Sequence, residues 1–483
     1  MNPYDIYHER PSVLYLTDSY KWTHGIQEEP GTGNTYSYFE SRNGAKYPVT
    51  KFFGLQMLLK KYFCGPVVTL KDIDEAEAFG KEHFMGATTL DVDMWRYVAT
   101  HHKGCIPLCI RAVPEGQSIP VSNVLMDVFT TDDKCASLTN FFESLLTHVW
   151  GPSNVATISG QIRNKLAAAF KQSVDDDTAW LLDYMLHDFG FRGVSSVESA
   201  GLLGAGHLVN FRGTDTLIAI KYAQMFYPGA GMAANSVIAS EHSIMTARGP
   251  QHEYAVVERL LNSMPPNCIY SMVSDSYNID KLIEKCGTDF HAKIVQRGGK
   301  LVFRPDSPRF NGETPAQQVV ALAQALEKHF GATTNKKGYK VLHPSVGLIY
   351  GDGLSIEDIF NVIDALLLAG FAASTCVFGM GGGLLQKHNR DTQRSAFKCA
   401  AKEVLGVWNE VYKEPLDKTK ASKRGWLKLE VDANGQIHTT QQPFERLQYP
   451  NIMDATNLLK PVFMNGTMLA DHSWADVCQR ARQ

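Results

Sequence analysis

The sequence has almost no excess of charge of either sign. Its 483 residues include 47 basic and 50 acidic side chains, which gives a formal net charge of −3. A chain this balanced lacks the broad positive surface with which proteins coat nucleic acids. We therefore expect no nucleic-acid partner, and we expect any bound anion to be held by a local arrangement of residues. With 44% hydrophobic residues, the chain can bury a large core.

Cysteine is sparse and its number is odd. The nine cysteines are Cys64, Cys105, Cys109, Cys135, Cys268, Cys286, Cys376, Cys399 and Cys478. Their odd number and thin spread over a long chain argue against a disulfide scaffold and favour a reducing compartment. Cys105 and Cys109 follow His101 and His102, which raises the question of a zinc site. Because the spacing is not a standard one and no second pair follows, buried or incidental thiols are the better interpretation.

Long apolar runs are scarce in the sequence, so we expect neither a signal peptide nor a membrane span. Asp5 and Glu9 lie near the N-terminus, and no apolar core segment accompanies them. Residues 365–386 lack charge over a length that raises the question of a transmembrane helix. Ser374 and the glycines at 381–383 indicate instead a helix end, a buried strand and a loop. We expect a soluble cytoplasmic protein with no membrane partner.

From about residue 180, short apolar runs alternate with helical patterns. Each run ends in polar or charged residues. We predict strands at 184–193, 207–215, 236–242, 269–276, 300–307, 347–353 and 374–383. Such strands, alternating with helices, indicate a parallel sheet that is covered on both faces. The predicted fold class is α/β, with an irregular (β/α) barrel-like domain; an open doubly wound sheet is the alternative.

The two ends of the chain lack this alternation. We predict a long helix near Leu138–Trp150 and strands at 426–432 and 436–442. The barrel-like domain is therefore expected to be flanked by a second α/β domain that is built from both chain ends. The predicted boundaries are 1–150 and 393–483 for the two parts of the flanking domain and 151–392 for the barrel-like catalytic domain.

Polar residues gather at the predicted strand ends, where parallel α/β folds bind their ligands. They are Asp188, Arg192, Asp215, His242, Asp275, Arg304, Asp306 and Asp352, and the aromatic Phe189 lies among them. Any single carboxylate is better explained as a helix cap, but a full ring interleaved with arginines favours an active site. A histidine held by a carboxylate through one ring nitrogen offers the other as base or nucleophile. His242 and Asp275 are candidates for such a pair; a structural histidine is the alternative.

Two glycine-rich loops and one basic run complete the candidate anion contacts. The loops are Gly351–Gly353 and Gly379–Gly383, the second followed by Lys387 and Arg390. Consecutive glycines let backbone N–H groups approach an anion at a helix N-terminus. Neither loop matches the P-loop or the dinucleotide-binding fingerprint, but together they predict a phosphate cradle. Basic runs such as 413–424 are usually solvent-exposed surface without a binding role. This run could also bind phosphates across a subunit boundary.

Nine short segments form an ordered set of motifs. They are LTDSYKWTH (16–24), YSYFESR (36–42), LHDFGFRGVSS (186–196), NFRGTDT (210–216), SVIASEHS (236–243), VSDSYNI (273–279), RPDS (304–307), GDG (351–353) and FGMGGGLLQKHNRD (378–391). Together they resemble the nicotinamide phosphoribosyltransferase family, in order, from about residue 12 to about residue 425. The resemblance implies a type II phosphoribosyltransferase fold and a homodimer with shared active sites.

The resemblance also implies a reaction. Nicotinamide and 5-phosphoribosyl 1-pyrophosphate would give nicotinamide mononucleotide and pyrophosphate, a step of NAD salvage. Departure of pyrophosphate leaves an oxocarbenium-like centre, so Mg²⁺ and cationic side chains would absorb charge on the leaving group. ATP would be a co-substrate that acts through a phosphorylated histidine. No residue is implied as a certain metal ligand, because Mg²⁺ would be held mainly through pyrophosphate.

Residue roles follow from the same resemblance. Phe189 would stack on the pyridine ring, with Tyr20 of the partner subunit on its other face. Asp215 would accept a hydrogen bond from the amide group of nicotinamide, near Arg192. The catalytic residues implied are His242, the phosphorylated histidine, Asp275, Arg304 and Asp306. The residues implied for the phosphoribosyl and phosphate groups, some of them in trans, are Arg304, Asp306, Gly351, Asp352, Gly381, Gly382, Arg390, Arg42, Lys398, Lys413 and Lys420.

Two other functions are alternatives to this one. A nicotinate phosphoribosyltransferase of the same fold is the nearest alternative, and Asp215 discriminates, because a carboxylate attracts an amide and repels a second carboxylate. A non-catalytic binding or signalling protein on this fold is the other. It would be expected to lose some of His242, Arg304 or Asp306, and none is lost. One departure from the family pattern is Gly347, which stands where a basic residue is common.

Overall fold

The computed structural model describes residues 11–351, 353–413, 422–442 and 454–483. The chain divides into two compact units. Unit 1 consists of Met1–Thr157, Ala223–Ala230 and Asn389–Gln483, and unit 2 consists of Ile158–Tyr222 and Gly231–His388.

Strands and helices are short in most of the chain. In chain order, the strands are β1 (Thr32–Ser41), β2 (Val49–Lys51), β3 (Leu108–Ala112), β4 (Ser118–Pro120), β5 (Val124–Thr130), β6 (Leu186–Asp188), β7 (Gly213–Thr214), β8 (Ile238–Ala239), β9 (Ile269–Val273), β10 (Lys300–Arg304), β11 (Ala332–Thr334), β12 (Lys340–Leu342), β13 (Val346–Tyr350), β14 (Cys376–Met380), β15 (Ser395–Val404), β16 (Val407–Glu410), β17 (Leu427–Val431), β18 (Ile437–Gln441), β19 (Lys460–Met464) and β20 (Thr467–Met468). The α-helices are α1 (Leu55–Tyr62), α2 (Leu70–His83), α3 (Val92–Thr100), α4 (Leu138–Phe141), α5 (Glu143–Thr147), α6 (Trp150–Ser173), α7 (Val197–Leu208), α8 (Leu217–Phe226), α9 (His242–Met245), α10 (Glu253–Ser263), α11 (Ile279–Thr288), α12 (His291–Gln296), α13 (Pro315–Phe330), α14 (Ile356–Leu368), α15 (Gly382–Leu385) and α16 (Trp474–Ala481).

Seven strands of unit 2 form a parallel sheet in the order β7-β6-β14-β13-β10-β9-β8. The sheet curls towards closure, because Asn235, just before β8, forms a bridge with Gly213 of β7 at the other edge. Helices alternate with these strands, and two of them begin with capping boxes, at Thr314 and Ser355. The predicted α/β class with a barrel-like domain is confirmed.

Three of the predicted strands of unit 2 are largely wrong. At 184–193, only Leu186–Asp188 is a strand, because helical turns end at Tyr184 and cover Phe191–Gly193. The prediction at 207–215 fails in its first part, because Leu208 is the last residue of α7 and the strand is confined to Gly213–Thr214. His207 is buried in that helix, and its Nε2 lies 3.0 Å from the carbonyl oxygen of Gly213. The apolar run therefore packs as a helix face against β7. At 236–242, only Ile238–Ala239 is a strand, since His242 already begins α9.

The uncharged stretch 365–386 contains the end of α14, the strand β14 and the short helix α15. The helix end and the strand are therefore confirmed, but the predicted loop is wrong in part, because Gly382 and Gly383 belong to α15. In the ranges that the structure describes, no helix combines the length and the apolar composition needed to cross a membrane.

Both ends of the chain contribute strands to the main sheet of unit 1. Its order is β16-β15-β1-β5-β3-β19-β20, and neighbouring strands are antiparallel. The strands β17 and β18 form a separate hairpin where strands were predicted. The predicted long helix near Leu138–Trp150 is wrong: α4 and α5 are short, and the long helix is α6. Pro152 explains why α6 begins as a new helix after α5 ends at Thr147. Proline has no amide hydrogen with which to continue the hydrogen bonding of α5.

Candidate active site

The polar residues predicted in unit 2 lie at the carboxyl ends of the parallel strands. Because all seven strands run in one direction, these ends share one edge of the sheet. Phe189 follows β6, Asp215 follows β7, His242 follows β8, Asp275 follows β9, Arg304 ends β10, Gly351 follows β13, and Gly381 and Gly382 follow β14. Asp306 lies two residues beyond Arg304, and Arg192 lies in a short helical turn after Phe189. Asp352 lies outside the described residues.

His242 lies between two carboxylates. Its Nε2 is 3.2 Å from Oδ1 of Asp275, and its Nδ1 is 3.9 Å from Oδ2 of Asp306. The second oxygen of Asp275 accepts a hydrogen bond from the amide of Asp306 at 2.9 Å and one from the hydroxyl of Ser307 at 2.5 Å. Asp275 is therefore fixed by the loop after β10, and it orients the imidazole through Nε2. This leaves Nδ1 of the exposed His242 ring for chemistry.

Arg304 is anchored through only part of its guanidinium group. Its Nη2 donates to the carbonyl oxygen of Ser240 at 2.8 Å, and Val273 donates to the hydroxyl of the same serine at 3.0 Å. The Nε atom of Arg304 is buried, and it has no hydrogen-bond partner among the described residues. A buried donor without an acceptor is unfavourable. An anionic ligand that accepts from this group would remove the penalty, which is consistent with a phosphate contact.

Phe189 lies against glycines of two neighbouring strands. A side chain on Gly379 would place its Cβ 2.1 Å from Cε2 of the Phe189 ring, and one on Gly351 would lie 3.3 Å from the same atom. The glycine at 379 is therefore required by the close approach of the ring. The amide of Phe189 also donates to the carbonyl oxygen of Met380 at 2.8 Å. The half-buried ring is held as a fixed platform at the strand ends.

Asp215 leaves the sheet beside Phe189. Asp188 and Thr214 are register partners on β6 and β7, so the residues that follow them emerge from adjacent strands at the same level. Asp215 is exposed, and one of its carboxylate oxygens accepts from the hydroxyl of Ser236 at 2.5 Å. An aromatic platform therefore lies next to a carboxylate, as expected for a flat heterocycle that carries a hydrogen-bond donor.

A buried carboxyl group joins these two strand ends. Asp188 accepts from the amide of Gly190 at 2.7 Å and from the hydroxyl of Thr214 at 3.2 Å, and its own carbonyl oxygen accepts from the amide of Asp215 at 2.9 Å. Burial raises the pKa of the Asp188 carboxyl to about 6, although the hydrogen bonds from Gly190, Thr216 and Thr214 lower it. Asp188 thus positions both the platform and the exposed carboxylate.

This pKa predicts how stability depends on pH. Because the folded pKa lies above the unfolded value, Asp188 favours folding at low pH, and this contribution is lost as the pH rises through about 6. Asp188→Asn removes this ionisation. The free energy of unfolding of the variant minus that of wild type should therefore increase by about 2 kcal/mol from pH 4.5 to pH 7.5. Thermal unfolding of both proteins at the two pH values measures the change. An equal difference at both values would contradict the assignment.

The glycine run after β14 forms a turn and a short helix. Gly381 precedes α15, and the amide of Gln386 donates to the carbonyl oxygen of Gly382 at 2.9 Å. A Cβ on Gly193 would approach Cα of Gly382 to 2.9 Å, so two backbone segments meet here without side chains between them. Gly347 lies inside β13 and not at its end, and Cδ of Lys300 would lie 3.1 Å from a Cβ placed there. The Lys300 stem therefore fills the space beside that glycine.

Unit 1 contains the other predicted contacts, namely Tyr20, Arg42, Arg390, Lys398 and Lys413. Tyr20 is 53% exposed, and the ammonium group of Lys21 lies 5.1 Å from its ring centre. Lys420 lies outside the described residues.

Four of these side chains form one cationic cluster. Burial lowers the pKa of Lys398, nearby Glu143 raises it, and the positive charges of Arg42, Lys413 and Arg390 lower it further. The Nε and Nη2 atoms of Arg42 are buried and have no hydrogen-bond partner among the described residues, although Glu40 lies 3.6 Å away. An anion bound among these positive charges would be stabilised by them, so the cluster is suited to phosphate groups.

Two family models match the chain. The model for the nicotinate phosphoribosyltransferase (NAPRTase) family matches residues 184–465, and that for the nicotinamide phosphoribosyltransferase N-terminal domain matches residues 12–110. A nicotinamide phosphoribosyltransferase of Xanthomonas campestris is 41% identical over 96% of this chain and 97% of its own length. The chain belongs to the nicotinamide phosphoribosyltransferase family. It is therefore an enzyme of the pentosyltransferase class.

Other relatives agree with this assignment. A nicotinamide phosphoribosyltransferase of Acinetobacter baylyi is 30% identical over 98% of this chain and 98% of its own length. Among solved structures, a nicotinate-nucleotide pyrophosphorylase of Pyrococcus furiosus matches with a TM-score of 0.58 at 14% identity, over 97% of this chain and 94% of that one. Human nicotinic acid phosphoribosyltransferase matches with a TM-score of 0.52 at 14% identity, over 97% and 93%. At this identity the structures show a shared fold.

Two supporting residues escaped the sequence analysis. Ser236 holds Asp215, and the carbonyl oxygen of Ser240 holds Arg304. Both flank β8 but serve residues far away in the sequence, and serine at these positions carries no signal of that role. The one available hint was that both lie in the motif at 236–243.

Proposed function

We propose that the enzyme joins nicotinamide to 5-phosphoribosyl 1-pyrophosphate and releases nicotinamide mononucleotide and pyrophosphate. The bond between C1 of the ribose and the pyrophosphate oxygen breaks, and the ring nitrogen of nicotinamide forms the new bond to C1. The observation that carries the choice of substrate is the exposed carboxylate of Asp215 beside the Phe189 platform. It accepts from the amide group of nicotinamide and would repel the carboxylate of nicotinate.

The leaving group takes the bonding electrons, so negative charge grows on pyrophosphate. Arg304, with its unpaired buried Nε, is suited to accept part of this charge. Mg²⁺ prefers carboxylate and phosphate oxygens. Asp306 fits this requirement, because its carboxylate is half exposed and no hydrogen-bond donor reaches it within the described residues. Asp306 would hold the ion together with substrate oxygens, and the ion would neutralise charge on pyrophosphate.

We further propose that ATP phosphorylates His242. Asp275 accepts a hydrogen bond from Nε2–H of His242, so the lone pair on Nδ1 can attack the terminal phosphorus of ATP. The new P–N bond forms as the P–O bond to ADP breaks, and water later releases phosphate from the histidine. The phosphorylated ring adds an acceptor-rich dianion near Asp306, which strengthens the binding of Mg²⁺ with its substrate.

The cationic cluster of unit 1 supports a homodimer with shared sites. We propose that Tyr20 and the cluster of one copy complete the active site of a second copy. The resemblance to the family implies this arrangement. The positive charges of Arg42, Lys413 and Arg390 near the partly buried Lys398 would favour binding of a phosphate group from the substrate.

Complementation tests the shared site. Tyr20→Ala should lower activity severalfold without changing the unfolding temperature, since the side chain is largely exposed. When this variant is mixed with His242→Ala under conditions of subunit exchange, hybrid dimers should regain part of the ATP-stimulated activity. Exchange verified by mass spectrometry without any recovery would show that each chain carries a self-contained site.

A direct assay tests the proposed reaction. The protein, nicotinamide, 5-phosphoribosyl 1-pyrophosphate and Mg²⁺ should yield nicotinamide mononucleotide and pyrophosphate in equal amounts. Arg304→Gln should reduce the rate strongly, whereas Arg259→Gln, an exposed arginine on α10, should not. A wild-type protein that forms no nucleotide product would refute the proposal.

A further inference from the structure

Three side chains of unit 1 form a cluster that the transferase chemistry does not use. His101 and His102 follow the last residue of α3, and Asp132 follows β5. One donor atom from each of the three lies within 4.8 Å of the other two. The cluster keeps the two histidines of the combination that the sequence suggested, but Asp132 takes the place of the cysteines.

The geometry of the cluster is defined by direct contacts. Nε2 of His102 lies 2.9 Å from Oδ2 of Asp132, and the hydroxyl of Tyr97 donates to the same oxygen at 3.0 Å. The His101 ring stacks on the Tyr97 ring with centres 4.7 Å apart and planes 11° apart. Within the described residues, no hydrogen bond is formed by either ring nitrogen of His101. A ring nitrogen of His101 is therefore available as a third metal ligand beside the pair of His102 and Asp132.

The backbone holds these residues in place before any ligand binds. After α3, the amide of Gly104 donates to the carbonyl oxygen of Val98 at 3.0 Å, which closes the turn that carries both histidines. On the other side, the second carboxylate oxygen of Asp132 accepts from the amide of Lys134 at 3.0 Å. Little conformational entropy remains to be lost on binding, which favours affinity.

We propose that His101, His102 and Asp132 bind one divalent transition-metal ion of the Zn²⁺ type. Imidazole nitrogens favour zinc, nickel and copper over magnesium and calcium, and three protein ligands leave a fourth position for water. Tyr97 supports the site from outside, as the hydrogen-bond partner of the Asp132 carboxylate and the stacking partner of His101. The side chains of His102 and Asp132 are 18% and 20% exposed, so the ion can enter from solvent.

Neither Cys105 nor Cys109, which follow the two histidines in the sequence, belongs to the cluster. A Cβ placed on Gly466 would lie 2.9 Å from the sulfur of Cys105, so this thiol faces Gly466. Cys109 is buried within β3. The ammonium group of Lys134 lies 4.8 Å from the centre of the Tyr97 ring and opposes the charge of the ion. We therefore expect a site of moderate affinity that joins the end of α3 to the segment after β5 and stabilises unit 1.

Zinc titration of the full-length protein tests the proposal. Isothermal calorimetry with ZnCl₂ should show one site that is lost, or weakened at least about tenfold, in His101→Ala and in His102→Ala. His83→Ala, a surface histidine of the same unit outside the cluster, should bind as wild type does. Zinc should also raise the unfolding temperature of wild type but not of the two cluster variants.

His101 is exposed, so its replacement keeps the test valid even if another variant folds poorly. Calorimetry showing the same zinc stoichiometry and affinity in wild type and His101→Ala would overturn the proposal. So would a wild-type protein that binds no zinc.

Discussion

Asp215→Asn is expected to shift the preference of the enzyme towards nicotinate by about tenfold in the ratio of kcat/KM values. The carboxylate lies at the end of β7 beside the Phe189 platform, where it would face the substituent of a pyridine ring stacked on Phe189. Removing its charge removes the repulsion of a second carboxylate, and the asparagine oxygen still accepts from an amide. Asp215 is exposed in the single chain, so solvent screens its repulsion of a second carboxylate. The expected change in substrate preference is therefore modest for a pair of like charges.

Kinetics with each substrate at fixed 5-phosphoribosyl 1-pyrophosphate measure this change. Asp364→Asn is a suitable control, because this exposed carboxylate on α14 pairs with Lys165. An unchanged ratio in Asp215→Asn would show that selectivity arises elsewhere.

His242→Ala is expected to abolish ATP hydrolysis and the stimulation by ATP, while slow synthesis of nicotinamide mononucleotide continues at high substrate. Ribosyl transfer needs positive charge and geometry, which Arg304, the cationic cluster and Mg²⁺ can supply without a nucleophile. The phosphoryl group of ATP needs an acceptor, and Nδ1 of His242 is the one that Asp275 leaves available.

Phosphate release and nucleotide synthesis should be followed in the same samples. His252→Ala, an exposed histidine just before α10, should retain both activities. Asp275→Asn should weaken both, because it disturbs the tautomer of His242 and the loop that carries Asp306. If His242→Ala were still fully stimulated by ATP, the phosphohistidine proposal would be wrong and His242 would have only a structural role.

The fold and much of the site were predictable because their signals are local. Continuous apolar runs that end in polar residues identified the parallel strands, and His242, Asp275 and Arg304 then followed as residues of one sheet edge. The glycine run after Phe378 was recognisable for the same reason. Its detailed purpose, a close approach between Gly379 and the Phe189 ring, depends on a neighbouring strand.

Long-range contacts account for what was missed. The run at 207–215 is apolar enough for a strand, but its first residues pack as the end of α7 under β7. The segment Ala223–Ala230 belongs to unit 1, although the residues on both sides of it belong to unit 2. Its amino-acid composition does not indicate this. The two cysteines drew attention to His101 and His102, whereas their actual neighbour, Asp132, is thirty residues away from His102 and reaches it only through the fold.

Product formation from nicotinamide and from nicotinate, each with and without ATP, decides whether the enzyme has the proposed substrate preference. We expect nicotinamide mononucleotide in both nicotinamide reactions, more of it with ATP, and little or no nucleotide from nicotinate in either. Faster synthesis from nicotinate than from nicotinamide would contradict the role of Asp215 and the proposed function with it.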